Sequence, residues 1–208
     1  KGYAVPMEHL STFGAAIDKY FRRPKTDQNS KIFINEVTAP TGTPVKELSP
    51  DTMSTIDRNL SSEVNSVLGN VQVTIPPSFV PTLREFLKYK KGSVQTTLDS
   101  IENGIPISGR DWHQIRSLLG QQRSAAYGSN AQLANDLGDI LNGWDSVVRP
   151  QLRPKTRADF NAWKAKYVAY MDLFDAVKAN PTSYNNFLEG KLDPQDLANA
   201  IRMRRPKE

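Results

Sequence analysis

Cysteine is absent from the chain, which removes disulfide frameworks and thiolate metal sites and suits a reducing compartment or a protein that works in either. Histidine is scarce: His9 and His113 are the only two. They lie far apart, each without a second nitrogen donor nearby, too few for a zinc site built on nitrogen and sulfur. No stretch approaches the roughly 18 to 20 consecutive apolar residues of a membrane-spanning helix, so no integral membrane segment is expected. Residues 1–9 lack the apolar core of a secretory signal. The chain begins at Lys1 and not at an initiator methionine, and reads as a fragment of a longer protein. The glycines form no phosphate loop. Gly138 and Gly143 fall inside a helical pattern, at about 1 kcal/mol each relative to alanine, and are read as points of close helix–helix approach.

What remains is 208 residues, 38 % hydrophobic and 24 % charged, enough to bury a real core in one ordinary domain or two small ones. Lys plus Arg (27) exceed Asp plus Glu (22), a net charge of +5. An excess this small permits contact with a phosphate backbone without demanding it.

Periodicity and punctuation predict an all-α protein. Leu10, Phe13, Ile17 and Phe21 keep helical spacing over residues 7–23. Residues 31–37, with Ile32, Phe33, Ile34 and Val37, form the one β-like run and are expected to lie extended along helices. Residues 38–48 read as a linker. Ser49-Pro50 starts a helix with Met53, Ile56, Leu60, Val64 and Val67 on one stripe, stopped by Gly69. Shorter helices are expected over 81–89 and around Val94, Leu98 and Ile101. In the C-terminal half, Ser108 with Asp111, Ser129 with Gln132, and Thr156 with Asp159 resemble capping boxes. The helices they open carry Trp112, Ile115, Leu118 and Leu119; then Leu133, Leu137, Ile140, Leu141, Trp144 and Val148; then Phe160, Trp163, Tyr167, Tyr170, Met171, Phe174 and Val177. Asn180-Pro181 ends the third, and Asp193-Pro194 starts a last helix with Leu197 and Ile201 inward. Short connections favour antiparallel neighbours. The expected organisation is thus an N-terminal helix, extended segment and linker (1–48), a helical region (49–107) and a C-terminal antiparallel bundle (108–208), the N-terminal part being less regular.

No reactive constellation stands out, so no catalytic, cofactor-binding or metal-ligating residue is assigned and no cofactor is expected. Asp136 with Asp139 and Asp172 with Asp175 sit three apart, but acids at that spacing are ordinarily a solvated face. Glu63, Glu85, Glu102 and Glu189, the acids that glycoside cleavage would require, occur in plain surface contexts. His113 reads as a surface or cap-region residue, and the three tryptophans as core. The basic clusters are Arg22, Arg23 and Lys25; Lys88, Lys90 and Lys91; Arg149, Arg153, Lys155 and Arg157; and Arg202, Arg204, Arg205 and Lys207. Three stand at expected helix ends, where the dipole accounts for them. The third lies in an expected loop stiffened by Pro150 and Pro154. Arg149, Arg153, Lys155, Arg157, Arg202, Arg204 and Arg205 are the candidate phosphate contacts, salt-dependent and sequence-independent. No interleaved aromatics are read as base-stacking partners.

A pattern runs through residues 107–202. Ile107-Ser108-Gly109, Trp112, Ile115-Arg116-Ser117 and Leu119 match an opening of the form L-S-G-x-x-Y-x-x-I-R-S-x-L. Gln122-Arg123-Ser124-Ala125 matches an A-R-S-A step. Leu133-Ala134, Leu137, Ile140 and Asp145 follow L-A-x-A-L-x-x-I-x-x-A-L-D, with Asp136, Gly143 and Trp144 in place of its residues at those positions. Trp163 and Tyr170 match a tryptophan–tyrosine helix, and Leu192, Pro194, Leu197, Ala200 and Arg202 an L-x-P-x-x-L-x-x-A-V-R ending. In these features the chain resembles a helical region of tailed-phage internal virion, or DNA-ejection, proteins. The resemblance implies a packaged, non-enzymatic structural protein that helps carry the genome across the host envelope. Its partners would be other virion proteins and further copies of itself, after assembly in the host cytoplasm and with delivery into the envelope. It carries over no catalytic site. Two alternatives stand beside it: a non-specific DNA-binding helical module, and a fragment of a virion-associated cell-wall-degrading protein.

Overall fold

The computed structural model describes residues 7–126 and 129–203, with side chains for 13–126 and 129–202. Of the described residues 78 % are helical, so the all-α class is established. The helices among the described residues are α1 (Met7–Arg22), α2 (Asp27–Thr38), α3 (Pro50–Leu68), α4 (Val80–Leu87), α5 (Ser93–Glu102), α6 (Gly109–Ala126), α7 (Ala131–Val148), α8 (Pro154–Lys178), α9 (Pro181–Leu188) and α10 (Pro194–Met203). A minimal antiparallel sheet pairs β1 (Gln72–Val73) with β2 (Ile107–Ser108), in the register Gln72 to Ser108 and Val73 to Ile107.

The start signals act much as their chemistry dictates. Ser49 and Thr52 form a reciprocal box at α3: the Thr52 N–H donates to Ser49 Oγ (3.3 Å) and the Ser49 N–H to Thr52 Oγ1 (2.8 Å). At α1 the Leu10 side chain lies outside the described residues, as does the Tyr127-Gly128 turn before α7. Three expectations are corrected. Residues 31–37 are not extended but belong to α2, where the Thr26 hydroxyl accepts from Asn29 N and Phe33, Ile34 and Val37 are buried on one side. A short apolar run does not distinguish strand from helix by pattern alone, and here the cap and the i, i+1, i+4 spacing prevail. Helix α7 is capped by Asn130, whose Oδ1 accepts from Leu133 N at 3.0 Å, rather than by Ser129. Helix α8 begins at Pro154, ahead of Thr156, because proline fits the first helical position without losing a bond. Asn180-Pro181 both ends α8 and starts the unforeseen α9: Asn180 Oδ1 accepts from Thr182 N at 2.8 Å.

The chain divides into two compact units, one of residues up to 63 together with those from 161, the other Val64–Phe160. The cuts fall within α3 and α8, where the sequence suggests boundaries at 48/49 and 107/108. Helices α6 and α7 belong to the second unit and α9 and α10 to the first, so the stretch read as one bundle is shared between the two.

In the first unit, Tyr20 stacks on Phe33 at 4.5 Å, and the Trp163 indole donates to the Leu60 carbonyl at 2.8 Å. Lys166 pairs with Glu63 at 2.6 Å. In the second, Leu68, Leu83, Leu87, Leu98, Ile101, Trp112, Leu119 and Trp144 are almost wholly removed from water. The Gln151 amide imitates a strand beside β1, accepting from Thr74 N and donating to Thr74 O, both at 2.8 Å. That satisfies a short edge that would otherwise present open backbone groups.

Candidate functional site

The residues that carry the resemblance in α6 and α7 lock those two helices together. Ser108 Oγ accepts from Asp111 N at 3.1 Å and donates to the Asp111 carboxylate at 2.6 Å, which closes the capping box. The box aims Trp112, Ile115 and Leu119 inward, all buried. From α7, the buried Trp144 indole donates to the Trp112 carbonyl at 3.3 Å. One residue on, Asp145 receives Arg116 through two bonds, Nε at 2.8 Å and Nη2 at 3.0 Å, the strong geometry of a guanidinium–carboxylate pair. Gly138 makes room for Arg123, since a Cβ there would lie 3.1 Å from the guanidinium carbon. At Gly143 a Cβ would meet the Phe79 ring at 3.5 Å, an ordinary contact. At Gly138 the neighbour is thus the end of a flexible side chain and not the backbone of a second helix.

His113 departs from its expected place on the surface. It is the fifth residue of α6 but is largely buried, with its ring 6.0 Å from that of Phe160, edge to face. Burial first, and then the Arg116 charge, lower its pKa to about 4, while Asp145 acts the other way. The ring is therefore neutral near pH 7, packed beside Phe160. The side chain of His9 lies outside the described residues.

The carboxylates that hydrolysis would need are dispersed. Asp136 and Asp139 are exposed on α7, and Asp136 accepts from Gln132 at 2.8 Å. Asp172 is half-buried and Asp175 exposed on α8. Glu63 is held by Lys166, Glu102 by Arg84 and Glu189 by Lys191, and Glu85 is exposed. Among the described residues no group of three or more metal-ligating side chains comes together, and no helix is long and apolar enough to cross a membrane. An open groove over α5, β2 and α6 is lined by Gln72, Ser93, Thr96, Ser100, Ser108 and Asp111. The Thr96 and Ser100 hydroxyls there donate to carbonyls one turn back along the chain.

Arg149, Arg153, Lys155 and Arg157 all stand exposed at the junction of α7 and α8. The expected loop is instead a tight corner: a 3-10 turn over Arg149–Gln151, the buried Leu152 as its anchor, and then α8. Lys155 and Arg157 consequently sit in the first turn of α8, at the positive end of its dipole, where the helix itself disfavours cations. Lys155 has Asp159 at 3.5 Å, and Arg157 donates to the Leu152 carbonyl at 3.3 Å. Arg202 lies in the other unit, 5.7 Å over the Phe21 ring. Arg204, Arg205 and Lys207 lie outside the described residues. The fold also corrects the reading that no aromatic interleaves a basic cluster: Tyr89 stands exposed between Lys88 and Lys90. The signal was legible as the run Lys88-Tyr89-Lys90-Lys91, and only its exposure had to come from the fold.

Compared with known families, curated proteins and solved structures, the chain matches no family model, no curated protein and no solved structure.

Proposed function

We propose that the chain is a non-enzymatic structural part of a phage virion, of the internal or DNA-ejection kind. It acts by assembling with other virion proteins and with further copies of itself while the genome is delivered across the host envelope. The observation that supports this reading is the use made of the residues that carry the resemblance. Trp112 and Ile115 are buried on α6, and Arg116 joins α6 to Asp145 of α7, as framework positions of an architectural protein do. Light scattering of the native chain, with and without duplex DNA at low and high salt, tests it. An oligomer of ring size or larger, indifferent to DNA, is the expected result. A monomer at every concentration, with or without DNA, overturns self-assembly.

A second reading, a non-specific DNA-binding module, is favoured by the exposed corner of Arg149, Arg153, Lys155 and Arg157. On this reading the corner tracks phosphates by charge alone. The triple variant R149A/R153A/R157A then binds duplex DNA more weakly at low salt, and the slope of log affinity against log salt falls by about 0.9 for each phosphate no longer neutralised. An unchanged slope removes this reading.

A further inference from the structure

The turn between α4 and α5 reads Leu87-Lys88-Tyr89-Lys90-Lys91-Gly92. Leu87 is fully buried and anchors it, while Tyr89 stands 83 % exposed, the most exposed of the large hydrophobic side chains described. An exposed aromatic is common on a loose loop, but this turn is pinned. Lys90 N donates to the Leu87 carbonyl at 2.9 Å. The Gln95 amide donates to the carbonyls of Leu87 (3.3 Å) and Lys90 (2.8 Å), and Arg84 holds the amide oxygen of Gln95 at 3.3 Å. From α6, Gln122 donates to the Phe86 carbonyl at 2.7 Å. Gly92, at φ +73°, then turns the chain into α5, a conformation that costs glycine little.

Three of the residues next to the ring in the chain are cations, and the nearest carboxylate along the chain is the exposed Glu85 of α4. Arg84 takes up the α5 acids Asp99 and Glu102 at 2.6 and 2.7 Å. Among the described residues no carboxylate pairs with Lys88, Lys90 or Lys91. The Lys88 ammonium lies 5.2 Å from the Tyr89 ring centroid, leaving much of the ring to solvent. A preset turn thus presents one aromatic ring between three unpaired cations.

We propose that this turn binds single-stranded nucleic acid, with Tyr89 stacked on an unpaired base and Lys88, Lys90 and Lys91 set against the flanking phosphates. An aromatic ring offers a stacking surface to any base, and lysines follow the backbone without reading sequence. A duplex gains the charge contact alone, because its base faces are covered by their neighbours. An anionic membrane is the poorer fit. Interfacial binding grows with buried apolar area, and apart from Tyr89 the residues from 88 to 93 are lysines, glycine and serine. The proposal does not rest on the virion reading. It uses a different surface from the Arg149 corner.

The test is fluorescence anisotropy of the full chain with a labelled oligothymidylate and with a duplex of equal length, across salt. Tighter binding of the single strand is expected. Tyr89→Ala weakens it about tenfold, within the range for loss of one stacked base, and Tyr89→Phe retains it. The triple variant K88Q/K90Q/K91Q lowers the salt slope by about two, from roughly 0.7 per phosphate on a single strand. R149A/R153A/R157A leaves single-strand binding unchanged, which separates the two surfaces. All these positions are exposed, and a thermal melt confirms that each variant folds. Equal affinity for the two strand states with Tyr89→Ala silent overturns the proposal. So does binding to vesicles of phosphatidylserine and phosphatidylcholine that depends on Tyr89 while the oligonucleotide goes unbound.

Discussion

The α6–α7 frame and the aromatic run of α8 are built from similar residues and end up in different states. In the frame, Trp112 and Trp144 are almost completely buried, and one donates through its indole to the backbone of the other's residue. Along α8, Trp163, Tyr167, Tyr170 and Phe174 form a ladder of ring contacts at 5.3, 6.2 and 6.1 Å. Only Trp163 of the four is buried; Tyr167, Tyr170 and Phe174 keep part of their surface in water, and Met171 is exposed. Of the stripe expected from spacing, Phe160, Trp163 and Val177 are buried, together with Ala169, Leu173 and Ala176, which it did not include. Tyr167, Tyr170, Met171 and Phe174 depart from that expectation. The frame helices have a narrow apolar stripe opposite polar residues, so burial has one solution. Helix α8 spreads both apolar residues and charges (Lys155, Arg157, Asp159, Lys164, Lys166, Asp172, Asp175, Lys178) around its circumference, so no single face stands out in its spacing. The rings of Trp163, Tyr167, Tyr170 and Phe174 cover one another in part along the helix.

The sharpest test of this difference is truncation. Trp144→Ala should cost about 3–5 kcal/mol in denaturant unfolding, the range for a buried large aromatic. Tyr170→Ala should cost about 1 kcal/mol or less, being part-exposed already. Similar costs at the two positions would end the distinction.

Titration separates the two regions next, because each holds one group shifted chiefly by burial. His113 takes up its proton near pH 4 in the folded chain against 6.5 as a free side chain. As pH falls through 6.5 the unfolded chain is protonated first. The stability that neutral His113 contributes is therefore complete above pH 6.5 and is lost towards pH 4, on the order of 3 kcal/mol. His113→Gln removes that part of the acid dependence. Tyr170 moves the opposite way, its pKa raised to about 12 by burial and then by Asp57 and Tyr167. Its contribution is complete below pH 10 and is lost as pH rises from 10 to 12. Absorbance titration that finds every tyrosine ionising near pH 10 would contradict this.

Breaking the Arg116–Asp145 pair is the next step down. Both side chains are largely covered, 21 % and 16 % exposed, so Asp145→Ala should cost about 2 kcal/mol by leaving the guanidinium without its acceptor. Arg116→Met in the same chain should recover part of it in a double-mutant cycle.

The smallest effects come from two glycines of α6 with opposite expected signs. A Cβ at Gly109 would lie 2.9 Å from Val71 Cβ and 3.0 Å from the Leu68 carbonyl oxygen, and at Gly120 it meets nothing within 4 Å. Gly109→Ala should lower the stability by about 1–2 kcal/mol, and Gly120→Ala should raise it by up to about 1 kcal/mol, both read by thermal melting.

The sequence by itself determined the all-α class, most helix positions, the Ser49 and Ser108 caps and the burial of all three tryptophans. These follow from interactions within a few residues: a hydroxyl reaching an N–H three positions on, proline at a first turn, an apolar stripe with one polar side. It also displayed every cation of the candidate surfaces. Only the tertiary structure decided that residues 31–37 wind into α2, that α8 turns Ala169, Leu173 and Ala176 inward, that His113 is covered by Phe160, and that Tyr89 stands out from a pinned turn beside its lysines. Each of those outcomes depends on which neighbour occupies the other side of a side chain. Gln122 and the Phe86 carbonyl it holds are 36 residues apart, and Phe160 stands further still along the chain from His113. Local pattern carries no information at that range, because burial is settled by whichever distant surface packs there.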